Sequence, residues 1–92
     1  MQFEWDEAKR VKNIVKHGID FADVPQIFDS PMLNELDEFT DYGEDRWLGI
    51  GFLRNAVAVV VWTERQDDTI RIISARKANK YERQRFEQYL SN

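Results

Sequence analysis

The chain contains no cysteine, which excludes a disulfide, a thiolate metal site and a cysteine nucleophile. A reducing compartment suits such a protein. His17 is the sole histidine, so a transition-metal site would have to be built almost wholly from carboxylates. The acids between positions 35 and 45 lack calcium-loop spacing and read as solvated loop and edge charges. No metal and no cofactor are therefore expected. The longest uninterrupted apolar run is seven residues, 56–62, far short of the roughly 20 that span a bilayer as a helix. The opening MQFEWDEAKR carries acids and aromatics where a secretory signal needs basic and then apolar residues. A soluble cytoplasmic protein with no membrane contact is expected. Glycine is scarce as well: Gly49 and Gly51 form a bare G-x-G with no phosphate-loop continuation. Ser30 and Ser74 have no nucleophile-elbow context.

What is present suits one small domain spanning residues 1–92. A chain of 92 residues with 42% hydrophobic and 13% aromatic content can bury an ordinary core without staples. The net charge of −4 argues against a general nucleic-acid binder, but the charge is segregated. Residues 29–45 hold seven acids and no base, whereas residues 46–92 hold nine bases and five acids. Two faces of opposite sign would let a polyanion meet a local field rather than the molecular average.

The organising stretch is 57–76, VAVVVWTERQDDTIRIISAR. Residues 56–63 are β-branched and aromatic, as in a strand covered on both faces. Gln66, Asp67 and Asp68 supply turn chemistry, and 69–74 resumes a strand pattern. Glu64, Arg65, Arg71 and Arg76 punctuate or border this hairpin, where rigid strands would hold them in fixed positions. Upstream, 1–5 alternates like a short strand. Asp6 is a helix N-cap and Gly18 a C′ residue. Between them Ala8, Val11, Ile14 and Val15 recur at helical spacing and are expected to face the core, with Lys9, Asn13 and Lys16 as a second stripe. His17 falls in the last turn. Residues 19–28 read as a second short helix with Asp20 as cap and Phe21, Val24, Ile27 and Phe28 as its apolar face, Pro25 being awkward there. An edge strand over 32–39, a loop over 41–45, a strand over 46–52 and a tight connection at 53–55 complete an antiparallel meander to about residue 75. The 46–52 strand shows Trp47, Gly49 and Gly51 on one face, so something must pack closely there, most simply a helix. Asn79 and Glu82 form a capping box for a final helix, with Phe86, Tyr89 and Leu90 inward and Lys80, Arg83 and Arg85 outward.

Arginine, lysine, histidine, glutamate and tyrosine remain as chemistry-bearing groups. That set suits metal-free phosphoryl transfer in RNA. A base takes the 2′-OH proton, cations stabilise the charged phosphorane, and an acid protonates the leaving oxygen.

Four separated motifs resemble the BrnT toxins of bacterial type II toxin–antitoxin pairs: W-D-E-A-K-x-x-x-N-x-x-K-H-G-I-x-F at 5–21, F-D-S-P at 28–31, G-E-D-R-W-x-x-I-G at 43–51, and V-W-T-E-R at 61–65 with I-R-I-I-S-A-R-x-A-x-x-x-E-R at 70–83. The resemblance implies an α+β, RelE-like fold, a mostly antiparallel sheet with two N-terminal helices and one C-terminal helix. It implies an endoribonuclease that cleaves RNA without a metal and stops translation. The implied partner is a BrnA-type ribbon-helix-helix antitoxin, with operator DNA reached only through it. On this resemblance His17, Glu64, Arg65 and Arg76 are the expected catalytic residues, with His17 or Glu64 moving the proton. Lys16, Arg71, Lys77 and Lys80 are the expected RNA or phosphate contacts. Arg71 is alternatively a structural partner of Glu64, and Lys9 with Asn13 a tether of the first helix to the sheet. Two other classes stand beside this reading: a catalytically inactive toxin-like module serving as antitoxin partner and co-repressor, and a small-molecule or structural adaptor.

Overall fold

The computed structural model describes residues 1–37 and 43–92. The elements run β1 (Gln2–Trp5), α1 (Glu7–His17), a 3₁₀ helix (Phe21–Asp29), β2 (Met32–Leu36), β3 (Trp47–Leu53), β4 (Ala56–Arg65), β5 (Thr69–Lys77) and α2 (Lys80–Ser91). The strands form one sheet in the order β1-β5-β4-β3-β2. From β2 to β5 it is the expected antiparallel meander, and β1 joins β5 in parallel. The expected continuation of the first meander strand over 38–39, and of the following loop over 41–42, falls outside the described residues. β4 and β5 run further than their apolar patterns, because their ladder extends from the Arg65–Thr69 pair to the Ala58–Lys77 pair.

Local chemistry explains the boundaries. Asp6 accepts the backbone N–H of Lys9, and Gly18 ends α1 at φ 72°, donating to the carbonyl of Ile14. Asp20 caps the second helix as expected, accepting from Ala22 N. That helix is 3₁₀ rather than α. Its buried residues, Phe21, Val24 and Ile27, recur every third position, the period of three residues per turn. Pro25, inside it, could not have donated an α-type bond in any case.

The sheet has a core on each face. On the 3₁₀ side, Phe21, Val24 and Ile27 pack on Val60, Trp62 and Ile72. On the other side, Phe86 of α2 packs with Ile50 and Val59. The bare face of β3 is filled as the glycines require: a Cβ on Gly51 would lie 2.8 Å from Ile27 Cγ2, and one on Gly49 2.6 Å from Trp62 Cζ3. The 3₁₀ helix thus covers one glycine and an indole covers the other.

Two helix faces differ from expectation. In α1 the buried residue is Asn13, while Val11, Ile14 and Val15 are exposed. The amphipathic period is right and its orientation is reversed. The cause is the end of β1 at Trp5, paired with Ile72, which leaves the backbone of Ala75 without a strand beside it. Asn13 fills that place. Its Nδ2 donates to Ala75 O at 2.9 Å and to Ile19 O at 2.8 Å, and its Oδ1 accepts from Ala75 N at 3.2 Å. The tether expected of Asn13 is therefore present. In α2 only Phe86 is buried; Tyr89 and Leu90 are exposed, because the helix meets β2 and β3 through its middle turns, where Arg85 Nη2 binds Glu35 Oε2 at 2.6 Å.

Asn13→Ala should cost roughly 3 kcal/mol of unfolding free energy, since a buried backbone group stripped of its partner costs about 1–3 kcal/mol. Urea titration followed by far-UV circular dichroism measures it. Gly49→Ala should cost about 1–3 kcal/mol by forcing Trp62 off its seat, read in the same titration.

Candidate functional site

A β-bulge decides which side chains meet. Val61 pairs with Ser74 but Trp62 pairs with Ile72, so Ile73 is an extra residue in β5. Strict alternation would put Arg71, Ile73 and Ala75 on one face. The bulge instead aligns Arg71, Ser74 and Arg76 on the α2 face, opposite Thr63, Val61 and Val59. Arg65, two residues on from Thr63, joins them.

Acids hold these arginines. Arg71 Nη1 donates to Glu4 Oε2 at 2.6 Å, and Arg65 Nε lies 3.9 Å from the same oxygen. The partner of Arg71 is thus Glu4 on β1 and not Glu64. Arg76 makes a two-pronged contact with Glu82, Nη1 to Oε1 and Nη2 to Oε2, each 2.8 Å. Glu82 also completes the capping box of α2 with Asn79. The bond from Arg76 holds the Glu82 carboxyl below its ordinary value and raises the guanidinium further. Arg76, expected as a catalytic cation, therefore also anchors a helix.

Beside Ser74 the sheet edge opens into a shallow cleft of ≈ 270 Å³ lined by Lys9, Lys12, Asn13, Lys16, His17, Ile73 and Ser74. His17 is half-buried and Lys16 exposed. Ser74 belongs both to this cleft and to the arginine face, so the two are continuous. The structure brings His17 and Lys16 together at one end of this tract and Arg71 and Arg76 along it.

The remaining expected residues lie elsewhere. Glu64 pairs with Ile70 and so projects on the 3₁₀ side of the sheet, opposite Arg65. It borders a depression at the β4–β5 turn together with Glu4, Arg65, Gln66, Asp67 and Thr69. Its rung lies three from that of Ser74, roughly 10 Å along the sheet, and on the opposite face, so Glu64 and His17 do not share a site. Lys77 lines a pocket with Gly18, Leu53 and Asn55 at the β3–β4 turn, and Lys80 is exposed at the start of α2. Ser74, weighed above only as a nucleophile, and Glu4, given no role there, both belong to the site. No local signal marks Ser74, because its position depends on the bulge. Glu4 could have been found from its alternation with Phe3 and Trp5 in β1. Among the described residues no three His, Cys, Asp or Glu side chains are grouped to hold a metal.

Such a tract can bind a chain of phosphates, with an imidazole at one end to exchange a proton. Comparison with known proteins bears on this. A family model described as the ribonuclease toxin BrnT of a type II toxin–antitoxin system matches residues 5–82. The fold is similar to the crystal structure of the Brucella abortus ribonuclease toxin, BrnT. The TM-score is 0.68 at 32% identity, over 87% of this chain and 99% of that one. Comparison with curated proteins finds no relative.

The Arg76–Glu82 pair predicts a pH dependence of stability. A carboxyl with a lowered folded-state pKa stabilises the fold above its ordinary value of 4.5, and the contribution is lost as pH falls from there through the lowered value. Glu82→Gln should lower stability at pH 7 and flatten its decline below about pH 5. Urea midpoints at pH 7, 5 and 3.5 test this; parallel declines in both proteins would contradict it.

Proposed function

The chain belongs to the BrnT family of ribonuclease toxins of type II toxin–antitoxin systems, and on that footing we propose that it is a metal-independent endoribonuclease whose cleavage of RNA stops translation and which a BrnA-type ribbon-helix-helix antitoxin neutralises. The observation that carries the reading is the unbroken tract from the lysine-rich cleft through Ser74 to Arg71 and Arg76. A strand bearing Arg71, Ser74 and Arg76 presents groups a few ångströms apart along its length, a spacing suited to successive phosphates.

The chemistry follows from the groups at hand. His17 accepts the proton of the 2′-OH, whose oxygen attacks the adjacent phosphorus. The bond from phosphorus to the 5′-oxygen then breaks, and a protonated group returns a proton to that oxygen, leaving a 2′,3′-cyclic phosphate. Arg71 and Arg76 offset the charge that builds on the phosphorane, and Lys16 with Lys9 and Lys12 holds the flanking backbone. Of the two proton-transfer groups expected, His17 is favoured over Glu64, which faces away from this tract. Arg65 contributes from the open end of the same face. Lys77 and Lys80 are left as peripheral contacts for a longer RNA. The antitoxin would carry the operator DNA contact.

A binding-only module has one observation in its favour: Arg71 and Arg76 each already hold a carboxylate. Cleavage by the purified protein separates the readings.

Expression of the chain alone should arrest growth and fragment cellular RNA, and purified protein should cleave RNA in EDTA. Activity lost in chelator and regained with Mg²⁺ would contradict the metal-free mechanism. Arg71→Ala and His17→Ala should each slow cleavage by about 10²–10³-fold, the range for a lost charge-stabilising or proton-transfer group. Glu64→Ala and Arg54→Ala should stay close to the parent, and an inactive Glu64→Ala that still folds would restore the glutamate as proton carrier.

A further inference from the structure

The outward face of α1 has no role in the fold or in the tract described above. Val11 is 50% exposed, Ile14 37% and Val15 84%, and with exposed Ala8 they recur at the three- and four-residue spacing of a single helical stripe. Scattered exposed valines are ordinary on a protein surface, whereas a contiguous apolar stripe marks a contact face. At 100° per residue Lys9, Lys12 and Lys16 run along one flank of this stripe, and the same three lysines line the cleft with His17. In a protein of net charge −4, this helix carries Lys9, Arg10, Lys12 and Lys16 against the single acid Glu7.

We infer that this face of α1 docks an acidic amphipathic helix of the antitoxin, with apolar side chains on Val11, Ile14 and Val15 and carboxylates on Lys12 and Lys16. The inference rests on the toxin reading above and deepens it, because the lysines between stripe and cleft serve both ligands. A partner that draws them outward removes the cations that would hold RNA beside His17, so docking and neutralisation become one event. Helix-on-helix contact along an apolar stripe is a common recognition mode, and opposite charge at the rim selects the partner. Charge argues against a second copy of this chain: α1 stacked on α1 would bring two cationic helices together.

The test uses full-length protein and the antitoxin encoded by the adjacent gene. Val11→Asp and Val15→Asp replace exposed residues, place a negative charge against an acidic partner, and leave the cleft untouched. Both variants should cleave RNA and arrest growth like the parent, bind the antitoxin about tenfold or more weakly by titration calorimetry, and no longer be rescued by its co-expression. Val15→Ser, which adds no charge, should show a smaller loss of the same kind. Parent affinity should fall with added salt. Unchanged affinity and full rescue in both aspartate variants would overturn the inference. So would a parent dimer in light scattering that Val15→Asp dissociates while antitoxin binding persists, since the face would then join copies of this chain. If the parent neither cleaves RNA nor arrests growth, the ribonuclease reading fails, while the calorimetric comparison still decides the docking surface.

Discussion

One buried amide governs how the N-terminal third meets the sheet. β1 is only four residues long, and past its end the strand edge of β5 would expose a peptide group to a dry interior. A buried N–H or C=O without a partner is costly, so the next element must supply hydrogen bonds there and not hydrocarbon. Asn13 does so with one donor–acceptor pair matching the peptide of Ala75 and a second donor for Ile19. Every group of the amide is used, which also settles its orientation. The inner face of α1 is polar for this reason, and its apolar residues have only the outside left.

The same strand carries the second constraint. Inserting Ile73 into β5 turns Ser74 and Arg76 to the face that holds Arg71, and it coincides with the place where Ala75 turns its peptide toward α1. One extra residue thus couples the seating of the helix to the alignment of the cationic side chains. Bulges occur beside functional sites because they redirect side chains that regular pleating would send elsewhere.

Electrostatics follows the architecture rather than the average. The overall charge is negative, yet the arginine face and the lysine-rich helix meet at Ser74. Glu4 and Glu82 lie against the arginines without burying them: Arg71 keeps 31% and Arg76 38% of its side-chain surface. A charge held in place but still wet can exchange a carboxylate for a phosphate at modest cost. Arg10, bridging Glu7 at 2.7 Å and Asp20 at 3.0 Å, instead secures the join between α1 and the 3₁₀ helix.

Much of this was legible in the residues alone. Caps at Asp6, Asp20 and Asn79, the stop at Gly18, the turn at 66–68 and the alternation of β3 all act within a few positions, so local pattern identifies them. The α+β class, the meander and the close packing over Gly49 and Gly51 follow from such signals, and the four motifs pointed to the family. The side chains that share a site depend on more than local pattern. Periodicity shows that α1 has two faces but not which one turns inward, because that depends on an open strand edge more than sixty positions away in the chain. Alternation places Arg71 with Ile73 until the pairing with β4 inserts the bulge, and it cannot reveal that Glu64 ends on a different rung and face from Ser74, beside which His17 lies. Local chemistry is written within a turn or two of the chain. The registry between distant segments is decided by which backbone groups would otherwise be buried without a partner, and that emerges only when the whole sheet is assembled.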